Sequence, residues 1–264
     1  MSEKNNIPPY RYFSTTKDLE TSLFLILPLF VIYQVGLLGA GGVRNGVDFV
    51  TDGFLLFIEL ALSFFVAPVT PFHIFGSYVV VNLVLFGVFC VLLWRKRKTN
   101  TFQRSMFGML LAESTLYAIL LGGTVHMIED FLGLKNLLQV ASGANENALA
   151  FTPLMIVVQS VGAGLYEEVV FRAFLFGGII RYCSRRNVSQ FSSVVIGLFL
   201  SSFIFSAVHH LGALGDDFTF AVFSFRFFAG ALLGLIFYSR GLAVAVYTHA
   251  IYDVIVMTAH AFRA

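Results

Sequence analysis

Long apolar runs dominate this sequence and constrain its fold more than any other feature. Eight stretches of about 20 mostly apolar residues follow one another, and this is the length that an α-helix needs to cross a bilayer. They cover residues 21–40, 49–67, 72–94, 105–127, 151–180, 190–209, 218–238 and 242–261. A membrane barrel would instead show ten-residue segments of alternating polarity. We therefore predict an all-α, polytopic membrane bundle of about eight transmembrane helices.

The composition excludes a soluble enzyme and a typical nucleic-acid-binding protein. Hydrophobic residues make up 58% of the 264 residues and charged residues only 12%, against roughly 45–50% and about 25% in soluble domains. A soluble domain of this size has too little interior to bury so much apolar surface. The two cysteines, Cys90 and Cys183, form neither a disulfide framework nor a zinc motif. We expect a lipid bilayer as a partner and no nucleic acid.

Clusters of Lys and Arg suggest the orientation in the membrane. The connections 95–104 and 181–189 are rich in these residues, which marks cytoplasmic loops. We expect a multi-pass protein of the inner (cytoplasmic) membrane of the cell. Counting crossings puts Arg240 inside and the polar head 1–20 outside, although the head carries three basic residues. The sequence thus leaves the side of the N-terminus open.

Three charged residues interrupt the fifth apolar run. They are Glu167, Glu168 and Arg172, and an ionisable group inside an apolar segment indicates a functional site unless it is paired or hydrated. At about 100° per residue in an α-helix, Glu168 and Arg172 lie about 40° apart and can pair. Glu167 lies about 140° from Arg172 and stays free. Adjacent, partly desolvated carboxylates repel, which suits a general acid or base near neutral pH.

Two later runs carry histidines at helical spacing from a second notable residue. Phe205 and His209 are four residues apart and share a helix face, as do His249 and Asp253. The Asp253 carboxylate could therefore orient the imidazole or share a ligand with it. We predict that both segments converge with the Glu-Glu segment on one polar cavity. His210 directly follows His209 and is the alternative to it.

In order and spacing, these residues resemble the CPBP family (CAAX protease and bacteriocin-processing, also called Abi) of intramembrane endopeptidases. The family pattern is Glu-Glu-x-x-x-Arg, Phe-x-x-x-His and His-x-x-x-Asn or His-x-x-x-Asp on separate helices. Here it is matched by Glu167–Arg172, Phe205–His209 and His249–Asp253. The resemblance covers about residues 150–260 and implies hydrolysis of a peptide bond in a membrane-associated or lipid-anchored peptide or protein. The physiological substrate is not indicated.

The resemblance also implies roles for individual residues. Glu167 would act with His209 to activate a water, and Glu168 with Arg172 would position the site or the substrate. His249 and the residue four positions later would help to hold the oxyanion.

Two points of the mechanism stay open at this stage. Asp253 stands where Asn is common in the family, and an ionised Asp cannot donate a hydrogen bond. It could donate if protonated, or it could orient His249. Some relatives are described as metalloproteases, and Glu167, His209 and His249 would then be the zinc ligands. Because the His-Glu-x-x-His spacing is absent, we expect a glutamate mechanism without a cofactor.

The apolar runs and the resemblance together suggest a division of the chain. We expect a polar head at 1–20, membrane helices in 21–150 and CPBP-like catalytic helices in 151–264. The longest stretch expected not to span, about 128–150, is predicted to be a non-cytoplasmic loop that could include a short surface helix. It contains Glu129, Asp130, Asn145 and Glu146.

Other readings of the buried charges remain. A proton- or ion-coupled transporter also uses intramembrane acids and histidines, and a non-catalytic, immunity-type scaffold would only bind a partner. Glu59 and Glu113 could pair, snorkel or line the cavity. Arg226 is expected to pair with Asp216 or Asp217, or to contact a substrate carboxylate.

Overall fold

The computed structural model describes residues 9–39, 105–134, 152–211 and 215–262, with seven isolated positions between 80 and 94. All regular structure in this part is helical, which confirms the predicted fold class. The elements are α1 (Pro9–Thr15), α2 (Leu19–Gly39), α3 (Ser105–Phe131), α4 (Pro153–Gly162), a π-helix (Ala163–Phe176), α5 (Gly177–Arg185), α6 (Gln190–Val208), α7 (Phe220–Arg240) and α8 (Leu242–Ala261).

Six helical segments in the described part are long and apolar enough to cross a membrane. They are Leu19–Leu37, Met106–Phe131, Pro153–Arg185, Gln190–Val208, Phe220–Arg240 and Leu242–Ala261. Each corresponds to one of the predicted runs. The predicted runs 49–67 and 72–94 lie outside the described residues, apart from the isolated positions. The chain is therefore a multi-pass membrane protein.

Helix α8 lies at the centre of the described bundle. It packs against α2, α3, α4, α7 and the π-helix. Its first half, Leu242–Ala250, is buried, and Ala243, Ala245 and Ala250 allow close approach of the neighbouring helices. Side chains on α8 can therefore reach several other elements at once.

The fifth predicted run is continuous but does not stay α-helical. It begins at Pro153, where Thr152 Oγ1 accepts a hydrogen bond from the Met155 amide (3.3 Å) and proline occupies the first helical position. The middle of the run, Ala163–Phe176, is a π-helix. π-Helices are rare and often occur at functional sites. Because their i→i+5 turns are wider than α-helical turns, the predicted angle of about 140° between Glu167 and Arg172 is wrong for this segment.

One glycine lets the π-helix lie directly against α8. A Cβ atom at Gly164 would come within 2.7 Å of the Val246 carbonyl oxygen and 2.8 Å of the Ala250 Cβ. Only a residue without a side chain fits this gap. The close approach brings the acidic residues, one turn further along, within reach of α8.

An ion pair between α3 and the end of α7 also binds the N-terminal helix α1 through hydrogen bonds. Arg240 Nε lies 2.5 Å from Glu113 Oε1, and Arg240 Nη1 donates to the Phe13 carbonyl (3.0 Å). The Tyr12 hydroxyl donates to Glu113 Oε2 (2.6 Å). Of the alternatives for Glu113, the structure thus shows pairing. The head shares one end of the bundle with Arg240, so the parity argument that separated them is wrong; counting crossings cannot detect a tertiary contact.

Helix α3 runs further than the sequence analysis predicted. It continues through Phe131, so the start of the loop expected at 128–150 is wrong, whereas 135–150 lies outside the described residues. Glu129 is only 2% exposed and accepts a hydrogen bond from Ser224 Oγ (2.8 Å), with His126 Nδ1 3.3 Å away. The helix does not end at this charge because α7 satisfies the carboxylate within the bundle.

Candidate active site

The three motifs meet at one cavity of about 540 Å³. Glu167 reaches it from the π-helix, His209 from the end of α6, and His249 and Asp253 from α8. The wall also includes the last turns of α3 and the first half of α7, so the cavity lies away from the bundle end that holds Arg240. Acids and imidazoles that are distant in the sequence thus share one space.

Glu167 lies between the two imidazoles. Its Oε2 is 3.8 Å from His209 Nε2 and 3.8 Å from His249 Nε2, and the residue is 3% exposed. These distances exceed those of direct hydrogen bonds. They are short enough for a water to bridge the carboxylate and either ring.

The orientation of His209 is set by its own helix. Its Nδ1 lies 2.7 Å from the Phe205 carbonyl oxygen, one of the carbonyls that the end of a helix leaves without an intrahelical partner. A carbonyl can only accept, so Nδ1 donates and Nε2 is left facing Glu167. The Phe205 ring also packs edge-on against both imidazoles, with centroids 4.9 Å from His209 and 6.2 Å from His249.

Glu168 joins Arg172 to His249 behind the cavity. Its Oε2 lies 3.1 Å from Arg172 Nε, which confirms the predicted pair, and its Oε1 lies 2.8 Å from His249 Nδ1. Glu168 is 0% exposed and Arg172 1%. Arg172 Nη2 donates to the Gly230 carbonyl (3.2 Å), and the guanidinium lies 4.4 Å from the centroid of the Phe205 ring.

Asp253 and His210 occupy different surroundings. Asp253 Oδ2 lies 3.6 Å from His249 Nε2, so this carboxylate faces the imidazole. His210 does not line the cavity; its Nδ1 lies 3.0 Å from the Asp216 carbonyl oxygen. Of the two adjacent histidines, His209 is therefore the one that faces Glu167.

The cavity wall contains residues that the sequence analysis did not assign to the site. These are Glu129 and Tyr252. Arg226, for which an ion pair and a substrate contact were the two alternatives, lines the cavity as well. The expected ion pair between Arg226 and Asp216 is present. The apolar residues on both sides of Glu129 could have indicated a longer helix, but nothing in the sequence placed Tyr252 on this wall.

A protein zinc site needs three or four side-chain ligands close together. In the ranges given above, no group of three or more His, Cys, Asp or Glu side chains is placed to hold a metal ion. Glu167, His209 and His249 lie within those ranges, so the proposed ligand set does not fit such a site.

Residues 149–255, which contain all three motifs, match the family model of Type II CAAX prenyl endopeptidase Rce1-like. This segment is therefore similar to the Rce1-like family. The match agrees with the CPBP resemblance, and an Rce1-like segment supports a CAAX-type intramembrane protease. The chain matches none of the curated proteins and none of the solved structures compared with it.

Proposed function

We propose that this chain is an intramembrane endopeptidase in which Glu167 activates a water for attack on a peptide carbonyl. The observation that carries the proposal is the position of the Glu167 carboxylate, 3.8 Å from two imidazoles in one cavity. The Rce1-like segment supports the reaction class.

The attacking water is held by two acceptors. It donates one hydrogen to Glu167 Oε2 and the other to His209 Nε2, which is free because Nδ1 donates to the Phe205 carbonyl. Its lone pair then points away from both groups and toward a bound peptide. This arrangement supplies a positioned nucleophile and its general base together.

His249 stabilises the negative charge on the carbonyl oxygen. Its Nδ1 faces Glu168, and its Nε2 faces Glu167 and Asp253. A carboxylate oxygen only accepts, so Nδ1 donates to Glu168 at 2.8 Å. Because two further carboxylates face Nε2, we propose that this nitrogen is also protonated and that His249 acts as an imidazolium. Its Nε2–H is the donor to the oxyanion. Asp253 orients this ring and does not itself donate.

The protons balance within the same group of residues. The water oxygen bonds to the carbonyl carbon while one of its protons moves to Glu167. The intermediate then collapses, the C–N bond breaks, and Glu167 passes that proton to the leaving amine. The products are a carboxylic acid and an amine, and Glu167 returns to its starting form.

We propose that the reaction requires no metal. A preparation treated exhaustively with EDTA and 1,10-phenanthroline keeps its rate if this is correct. Loss of activity on chelation, with recovery on adding Zn²⁺, would support the zinc-dependent alternative with Glu167, His209 and His249 as ligands.

The proposed substrate is a membrane-associated or lipid-anchored peptide or protein, and the proposed location is the inner (cytoplasmic) membrane of the cell. The apolar helices support a substrate that approaches within the bilayer. The name of the matched family supplies a first probe: an internally quenched peptide with an S-prenylated cysteine followed by three residues.

The test compares three full-length proteins in proteoliposomes: the wild type, Glu167→Gln and the exposed control Glu20→Gln. We expect Glu167→Gln to lower the cleavage rate by about 10²–10⁴-fold, the usual contribution of a general base. Its thermal unfolding should stay close to that of the wild type because the side chains have the same shape. Unchanged cleavage by Glu167→Gln would refute the mechanism, and a wild type that does not cleave the probe would count against the function.

A further inference from the structure

Arg226 introduces a permanent positive charge into the cavity wall. The other ionisable wall residues in the described part are acids, histidines and one tyrosine: Glu129, Glu167, Asp253, His126, His209, His249 and Tyr252. An anionic group of a substrate would be repelled by the three carboxyl groups when these are ionised. Arg226 is the position on this wall where such a group gains a permanent, opposite charge.

The guanidinium of Arg226 has a donor to spare. Its Nη2 pairs with Asp216 Oδ2, whereas its Nη1 is buried and has no hydrogen-bond partner among the described residues. A guanidinium carries five N–H donors in a planar fork. A buried donor without an acceptor is unfavourable, so an acceptor that reaches this nitrogen would gain a hydrogen bond.

The arginine is held next to the proposed nucleophile site. The Asp216 amide donates to the His209 carbonyl oxygen (2.8 Å), and the Asp216 carbonyl lies 3.0 Å from His210 Nδ1. These bonds fasten the Arg226–Asp216 pair to the end of α6, where His209 faces Glu167. The Asp216 side chain is 57% exposed, so a ligand can displace it into water.

We infer that Arg226 forms a carboxylate-binding subsite that sets the orientation of the substrate relative to Glu167. The inference rests on the proposed function. The carboxylate belongs either to the C-terminus of the substrate or to an acidic side chain close to the scissile bond. Its chemistry is the same in both cases, and the bidentate fork of arginine suits it.

The experiment measures binding, so that it does not depend on turnover. Full-length Glu167→Gln protein in detergent is titrated by fluorescence anisotropy with three S-prenylated peptides. The first ends in a free carboxylate, the second is its C-terminal amide, and the third is an amide whose last residue is Asp. The same titrations are made with three double variants, in which Glu167→Gln is combined with Arg226→Gln, with Arg226→Lys, or with the exposed control Arg185→Gln.

We expect the free acid, the Asp amide or both to bind about tenfold more tightly than the plain amide. The ratio of the dissociation constant of the plain amide to that of the tighter peptide should fall close to one with Arg226→Gln and stay high with Arg185→Gln. Arg226→Lys should give an intermediate ratio because it keeps the charge but loses the fork. Tight binding of the acid alone identifies the chain terminus as the source, and tight binding of the Asp amide identifies a side chain.

Equal binding of all three peptides, or failure of all three to bind, would overturn the inference. So would a ratio that survives Arg226→Gln in protein with an unchanged unfolding temperature. Failure of the proposed function is recognised separately, since it shows as cleavage that persists with Glu167→Gln or is absent from the wild type.

Discussion

Replacing Arg172 by Met removes the positive charge from the most enclosed ion pair of the site. The guanidinium is 1% exposed, and it contacts Glu168 Oε2 through Nε (3.1 Å) and the Gly230 carbonyl through Nη2 (3.2 Å). It also lies over the Phe205 ring. Methionine fills much of the volume but provides neither of the two polar contacts nor the cation–π contact.

The expected loss follows from the group that is left behind. A buried carboxylate deprived of its partner costs about 3–5 kcal/mol. The lost bond to Gly230 and the lost contact with Phe205 belong to the same side chain, so their costs overlap with this figure. For a chain of this size, each kcal/mol lowers the unfolding temperature by about 2–4 °C. We therefore expect a decrease of roughly 6–20 °C.

Thermal unfolding in detergent, followed by intrinsic tryptophan fluorescence or by a thiol-reactive dye, measures this shift. The double variant Glu168→Gln with Arg172→Met should be less destabilised than the sum of the two single variants, because it removes the guanidinium and its carboxylate partner together. Arg185→Met, at an exposed position of α5, should change stability by less than about 0.5 kcal/mol. An Arg172→Met protein that unfolds within 2 °C of the wild type, or strict additivity in the cycle, would refute the pairing argument.

Three further substitutions test other parts of the structure. His209→Ala should lower cleavage by about 10²-fold or more, whereas His210→Ala should keep most of it; the reverse result in the peptide assay would contradict the placement of the cavity. Gly164→Ala should destabilise the protein by about 1–3 kcal/mol through overpacking against α8, whereas Gly178→Ala, whose Cβ meets no described atom within 4 Å, should not; equal unfolding temperatures would argue against the close approach. Arg240→Gln should cost about 2–3 kcal/mol by leaving its carboxylate partner on α3 unpaired, with unfolding in detergent as the measurement and an unchanged midpoint as the contrary outcome.

The pairing of Glu168 with Arg172 could be predicted because it is local. Both residues lie on one helical segment, and four-residue spacing brings side chains together in an α-helix as well as in the wider turn found here. The position of Glu167 could not be predicted in the same way. The α-helical angle placed Glu167 on a different helix face from Arg172. No pattern in the sequence indicated that Ala163–Phe176 would form a π-helix.

The end of α3 also could not be predicted from neighbouring residues. Glu129 and Asp130 suggested the start of a loop, since a charge at the end of an apolar run usually meets water. The structure instead buries Glu129 and satisfies it with Ser224, which lies 95 residues further along the chain. No local pattern carries information about a partner at that distance.

The amino-acid sequence by itself determined that the chain enters a membrane as helices and that three apolar segments carry acids, imidazoles and a guanidinium. Each of these properties depends on neighbouring residues, because a backbone in lipid must satisfy its hydrogen bonds within its own segment. Only the tertiary structure decided which of these groups face one another. The separation of Glu167 from His209 and His249 depends on how the π-helix packs against α6 and α8, and that packing follows from the shapes of side chains far apart in the chain.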